Sequence, residues 1–259
     1  MHPYRLPTKD PMHSRYTVLA ALLLGATLAL GAVAAAGALA KAVARLKTEE
    51  LVRVKGTAEQ AVVSDRATWT CDLVVRGAEL AAANSMLVQQ RAMVSTFLAA
   101  RGATAPELTL AAVVVEPLRA QDEKGNKTNR IELYELRQRF ALVTAQVALA
   151  DTISTAISDL LALGVEIRSY APQYTVSDLE RVKLALLEQA TANARQRAEL
   201  LARGGGGGGR LGPLISASQG VFQIVPPSST DTSDYGSYDT ATIPKVVKAV
   251  VTLEFASRP

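Results

Sequence analysis

The chain has 259 residues, 49% of them hydrophobic and 20% charged, with a formal net charge of +4. That leaves enough apolar material for one large domain or two small ones beyond a membrane segment, while scattered lysines and arginines and an aromatic content of only 5% argue against a nucleic-acid face of basic stripe and stacking rings. The single cysteine, Cys71, excludes an intramolecular disulfide and a thiolate metal cluster; the only histidines, His2 and His13, precede the apolar segment, so the rest of the chain has no imidazole for a Ser-His pair or a histidine zinc site.

Residues 17–40 (TVLAALLLGATLALGAVAAAGALA) carry no charge. As a helix they would reach about 36 Å, enough for a hydrocarbon core of roughly 30 Å. The positive flank (Arg5, Lys9, Arg15) and Ala38-Leu39-Ala40 fit a secretory signal, but the apolar stretch exceeds the roughly 7–15 residues of such signals. The segment therefore reads as a transmembrane signal anchor after a 1–16 tail, with cleavage near Ala40 as the alternative. Lys41, Arg45 and Lys47 offset the positive tail; the expected orientation is N-terminus inside.

After a 41–50 linker, residues 51–56 alternate Val52 and Val54 against Arg53 and Lys55 and predict a half-buried strand. Residues 67–76 predict a second, with Ala67, Trp69, Cys71, Leu73 and Val75 inward and Thr68, Thr70, Asp72 and Arg76 outward. Cys71 is then a core thiol. Residues 79–101 switch to helical period, with Leu80, Ala83, Leu87, Val94 and Leu98 in one stripe and Gly102 as the stop. The apolar run 108–118 (LTLAAVVVEPL), closed by proline, predicts a buried strand, and 120–129 a polar turn. Residues 131–144 predict a long strand facing Tyr134, Leu136, Phe140 and Leu142 inward. A helix over 150–163 buries Ile153, Ile157, Leu160 and Leu161 and closes at Gly164, and 165–174 is a further strand.

Ser177-Asp178-Leu179-Glu180 has the form of a capping box. It opens a helix to about residue 203, with Leu179, Val182, Leu186 and Leu200 in its stripe. Ala190, Ala194, Ala198 and Ala202 form a small-residue row, suited to close approach by its own sheet or by a neighbouring subunit. Six glycines, 204–209, end the helix. Gly209 is followed by Arg210 and Leu211, so the lysine and hydroxyl of a phosphate loop are missing, and the run terminates a helix instead of opening one. Strands over 211–225 and 245–255 flank a Pro/Ser/Asp/Tyr-rich loop, 226–244, expected to be mobile.

The order β-β-α-β-β-α-β-α-β-β predicts an α+β fold. Residues 51–105 and 175–259 would form subdomain one, and 106–174 an inserted subdomain two. Glu49-Glu50, Asp122-Glu123, Asp178 and Glu180 fall in linkers, turns and caps. A carboxylate-only hydrolase is therefore the weakest reading; no catalytic, cofactor-binding or metal residue is assigned, and no cofactor is expected. The candidate interaction surface is the acidic loop with Asp231, Asp234, Tyr235, Tyr238 and Asp239, because tyrosines anchor interfaces.

Several features coincide: Val52-Arg53-Val54-Lys55-Gly56 just after a membrane segment, Trp69 in the second strand, the Ala190, Ala194, Arg195, Ala198, Leu201, Ala202 spacing, then Leu211-Gly212 and Ser218-Gln219-Gly220. Together they resemble the SIMPL-domain family of bacterial envelope proteins, which includes periplasmic immunogens and stress-associated proteins. The resemblance covers about residues 51–255, and its motifs are structural. It implies a periplasmic body of two intertwined subdomains, no established enzymatic activity, and relatives that assemble into large rings; membrane-anchored versions are similar to this chain. The six glycines depart from relatives, which carry fewer. The expected function is a non-enzymatic, inner-membrane-anchored periplasmic protein acting by self-assembly, or by binding an envelope protein or lipid, in stress tolerance. A small-molecule or lipid-binding module is the alternative. The expected partners are the membrane, through residues 17–40, and further copies of the chain, and not nucleic acid.

Overall fold

The computed structural model describes residues 11–47, 51–204, 210–229 and 233–258. The apolar segment lies in α1 (Pro11–Lys47), whose stretch Leu19–Lys41 is long and apolar enough to cross a membrane and has no buried residue. Then follow β1 (Leu51–Val63), β2 (Arg66–Gly77), α2 (Leu80–Ala100), β3 (Leu108–Leu110), β4 (Val114–Gln121), β5 (Lys127–Thr144) and α3 (Val147–Ala156). A 3₁₀ stretch, Ile157–Leu163, extends α3 and leads to β6 (Glu166–Ser169), β7 (Gln173–Thr175) and α4 (Leu179–Gly204). The chain closes with β8 (Arg210–Gln219), β9 (Gln223–Val225), β10 (Ser237–Tyr238) and β11 (Pro244–Arg258). This is the expected α+β class. By contacts the chain divides into two compact units: Met1–Arg53, Ala198–Ser216 and Glu254–Pro259 make the first, Val54–Arg197 and Ala217–Leu253 the second.

One sheet has the order β1-β11-β9-β10, with β8 also on β11; the other has β3 and β4 on β5, then β2, then β6 and β7. β2 and β5 form the spine of the six-stranded sheet, antiparallel from Ala67↔Thr144 to Gly77↔Tyr134. The alternation read from residues 67–76 holds. Ala67, Trp69, Cys71, Leu73 and Val75 all face the core, against Ala83, Leu87, Val94 and Leu98 of α2 and Ile153, Ile157 and Leu160 of α3 and its extension. Trp69 Nε1 donates to Ser169 Oγ at 3.1 Å, satisfying the one polar atom of the buried ring. Burial, helped by neighbouring Asp72, pushes the Cys71 thiol up to about 12, so it is an inert core group. Gly102 and Gly164, at φ of +98° and +75°, end their helices as expected.

Several expectations are corrected. The run 108–118 is not a buried strand: β3 and β4 lie at the edge of their sheet, every residue from 109 to 117 is exposed, and pairing continues past Pro117 to Gln121. From Leu110↔Phe140 to Val114↔Arg137 the edge advances four residues while β5 advances three, the signature of a bulge. Gln138 Nε2 donates to the bulged Ala111 carbonyl at 3.0 Å. An edge strand tolerates the missing N–H of Pro117, which a central strand would not. The polar turn contracts to residues 122–126, where Asp122 Oδ1 accepts from the N–H groups of Lys124 and Asn126 at 2.9 and 2.8 Å.

Leu80, Leu161 and Leu200 are exposed and not in their helices' buried stripes. The capping box does not form: the Ser177 hydroxyl and N–H donate to Asp65, and Glu180 accepts from Lys183 at 2.6 Å. β1 runs on to Val63, and the strand over 165–174 splits in two. The small-residue row serves the chain's own sheet. Ala190 and Ala194 are fully buried, and a Cβ on Gly56 of β1 would lie 2.1 Å from the Ala190 carbonyl oxygen and 2.5 Å from Ala194 Cβ. Arg197 Nη1 donates to the Lys55 carbonyl at 3.1 Å, and the Thr57 N–H donates to Asn193 Oδ1 at 3.2 Å, so α4 runs antiparallel to β1.

Gly56→Ala should therefore cost about 2 kcal/mol or more, because the added methyl meets backbone that cannot rotate away. Denaturant unfolding followed by Trp69 fluorescence checks this. Gly125→Ala should cost less: its neighbourhood is open, and only its φ of +81° opposes a side chain.

Candidate functional site

Two of the five loop residues singled out in the sequence, Tyr235 and Tyr238, line one surface. Asp231 lies outside the described residues, and Asp234 is exposed on a turn. That turn, residues 233–236, closes with Gly236 N–H donating to the Ser233 carbonyl at 3.1 Å. Gly236 is required there twice over: its φ is +85°, and a Cβ would sit 3.1 Å from the Phe222 carbonyl oxygen. The turn holds up Tyr235, which is 98% exposed. β10 then runs parallel to β9, pairing Ser237↔Gln223 and Tyr238↔Ile224. Between these elements lies an open groove of about 520 Å³, lined by Val221, Phe222, Ile224, Tyr235, Tyr238 and Lys183 among others. Lys183 Nζ stands 5.7 Å from the Phe222 ring centroid and so joins a cation to the aromatic wall.

Asp239 has a different job from the tyrosines. Its N–H donates to the Ile224 carbonyl at 2.8 Å, and its carboxylate accepts from the Ala241 N–H at 2.9 Å, the Thr242 N–H at 3.3 Å and hydroxyl, and Lys245 Nζ at 3.1 Å. The Lys245 side chain is wholly buried and also donates to the Thr242 carbonyl. The segment is tied further by Tyr174 N–H to the Thr240 carbonyl at 2.8 Å and Ser64 N–H to the Ile243 carbonyl at 2.9 Å. So residues 233–244 follow a hydrogen-bonded path tied to the neighbouring strands. Burial pushes the Asp239 carboxyl up, but the hydrogen bonds from Thr242, Ala241 and Lys245 outweigh it and hold the group below its ordinary value.

A second polar centre sits on the outward face of β2 and β5. Arg139 donates to the almost fully buried Asp72 twice, Nε to Oδ1 at 2.7 Å and Nη2 to Oδ2 at 3.0 Å, and the Tyr170 hydroxyl adds a bond at 3.0 Å. The Arg139 bonds lower the Asp72 carboxyl, and burial only partly opposes them. Beside it Glu135 accepts from Arg76 and Arg137 at 2.8 Å each. Thr68, Thr70, Arg139, Tyr170, Ala171 and Gln173 line a half-open pocket of about 200 Å³, in which Arg139 is the charged group. Residues 68, 70 and 72 were legible as an outward strand face, but the joining of Tyr170 and Arg139 to Asp72 is a long-range pairing without local signal. The same holds for Lys183, Phe222 and Lys245.

The SIMPL family model, described as a protein of unknown function (DUF541), matches residues 52–255. The chain belongs to the SIMPL family. No curated protein matches it. The match covers both sheets and the clamped segment, so the aromatic groove is part of the SIMPL domain and not of an appended tail.

Asp239→Asn leaves the Lys245 ammonium buried without its counter-charge and should destabilise the SIMPL domain by about 3 kcal/mol at neutral pH. Because the folded carboxyl lies below its unfolded value of 3.8, the wild-type advantage is full above that pH and fades as pH falls through the folded value. Melting curves of both proteins across acid pH should converge; a constant gap would show that the carboxylate charge is not what holds the lysine.

Proposed function

We propose that this SIMPL protein is a membrane-anchored envelope protein whose periplasmic body works by binding, through self-assembly or capture of an envelope component in stress tolerance, and without catalysis. The carrying observation is the groove under Tyr235 and Tyr238. It presents exposed aromatic rings on a segment pre-ordered by the buried Lys245 and Asp239. A preformed surface loses little conformational freedom on binding, which favours association over a floppy loop of the same composition. α1 supports the anchored reading, and confinement to a membrane raises the effective concentration of weak partners.

Tyr235→Ala with Tyr238→Ala is the cleaner test than removing the loop, since the loop carries the Lys245 clamp. The double variant should keep its melting temperature and lose association by about tenfold or more, as read by light scattering of the full chain in nanodiscs or by partner capture. Unchanged association with intact folding would remove the groove from the account.

The Arg139 pocket favours a second reading, a module for a small carboxylate. Its guanidinium is held in place by Asp72 beside two threonine hydroxyls. Millimolar citrate should then raise the melting temperature relative to chloride of equal ionic strength, and Arg139→Gln should abolish the rise. An equal response in both proteins would exclude the pocket.

A further inference from the structure

Only three residues, 48–50, separate the end of α1 at Lys47 from the start of β1 at Leu51. The apolar stretch of α1 ends at Lys41; six further helical residues and a three-residue connection bound the distance from there to Leu51 at about 23 Å, so where α1 is anchored, Leu51 is tethered close to the membrane. Other segments of the same unit gather beside the start of β1. Arg53 pairs with Glu254 at 3.2 Å, and a Cβ on Gly212 would lie 2.6 Å from the Ala256 carbonyl oxygen. The start of β1, the end of β11 and the start of β8 are therefore neighbours, and with the end of α4 they form one compact unit that includes α1.

The surface of this unit is unlike an ordinary water-facing end. Leu51, Leu200, Leu201, Leu214 and Ile215 are each more than half exposed. Residues 41–53, 198–216 and 254–259 hold seven lysines and arginines against four glutamates, whereas the second unit holds eighteen against nineteen acidic residues. Arg203 and Arg210, with Glu199 and Leu211, line an open pocket of about 290 Å³, roomy enough for a phosphate headgroup. Apolar tips beside guanidinium groups suit the boundary of a bilayer: the leucines enter the headgroup layer, and the arginines meet lipid phosphates.

We propose that this unit docks on the anionic lipid surface of the bilayer that holds α1, through Leu200, Leu201, Leu214, Arg203 and Arg210. The proposal rests on the anchored reading of α1. It adds a second membrane contact, made by folded protein.

The test uses the full chain in vesicles of phosphatidylcholine and phosphatidylglycerol with headgroup nitroxides. A fluorophore is placed at Leu201→Cys, and its quenching by the headgroup nitroxides is compared with that by a water-soluble nitroxide; Cys71 is buried and stays unlabelled in the folded protein. Flotation with the vesicles reports the anchor separately, and a chain that does not float overturns the anchored reading and this inference with it. In floated protein, headgroup quenching at 201 should exceed water-phase quenching by about threefold or more, and Arg203→Gln with Arg210→Gln should weaken the docked state by about tenfold or more. Headgroup quenching at 201 no greater than water-phase quenching in floated protein overturns the docking alone. Shielding at 201 that follows protein-to-lipid ratio and ignores lipid charge also overturns it, by showing that a second copy covers the leucines.

Discussion

The close approach of α4 to β1 is the constraint on which the rest of the body depends. Where Gly56 meets the Ala190 carbonyl, there is no room for even one methyl group. A helix can lie that near a strand only if both present their smallest residues, and the alanines at 190 and 194 answer the glycine. Hydrogen bonds from Arg197 to Lys55 and between Thr57 and Asn193 then fix direction as well as distance. Because the helix runs antiparallel to β1, its final turns lie toward the start of that strand. A helix displaced outward by a bulkier contact would lose this alignment.

The second organising interaction is the burial of Lys245 with Asp239. A lysine placed wholly inside a protein is costly unless its charge is met. Here the counter-charge comes from a segment rich in serine, threonine, aspartate and tyrosine, which has little apolar surface of its own to bury. The lysine thus converts a stretch that would otherwise solvate freely into one with a fixed path, and Tyr235 and Tyr238 inherit their positions from it. The six-stranded sheet handles its exposed edge differently. The bulge at residues 111–113 and Pro117 interrupt a strand whose side chains are largely apolar, which guards its edge against unlimited pairing.

The sequence was most informative where one face of an element is buried by its immediate neighbours. Trp69, Cys71 and Leu73 alternate because one side of β2 meets α2, and Ala83, Leu87 and Leu98 repeat at helical spacing for the same reason. It misled where burial depends on what else arrives. An unbroken apolar run, 108–118, looks like a strand covered on both faces, yet nothing in the run records that it lies at an edge. Leu161 and Leu200 fit a helical stripe but lie beyond the reach of the packed faces. Ser177 has the pattern of a cap, but Asp65, distant in sequence, takes its hydroxyl. The candidate surface was legible as composition, through its tyrosines and aspartates. Its division of labour was not, because Asp239 works with a lysine that reads in sequence as an ordinary start to a strand.

The central claim is that the candidate surface under Tyr235 and Tyr238 is already ordered before any partner binds. Amide hydrogen exchange of the full chain in a membrane mimic tests it most directly, through the N–H groups of Gly236 and Asp239, bonded to Ser233 and Ile224. The account predicts exchange slowed by about a thousandfold or more, comparable to amides of β11. Exchange at the rate of a free loop, with β11 still protected, would contradict it.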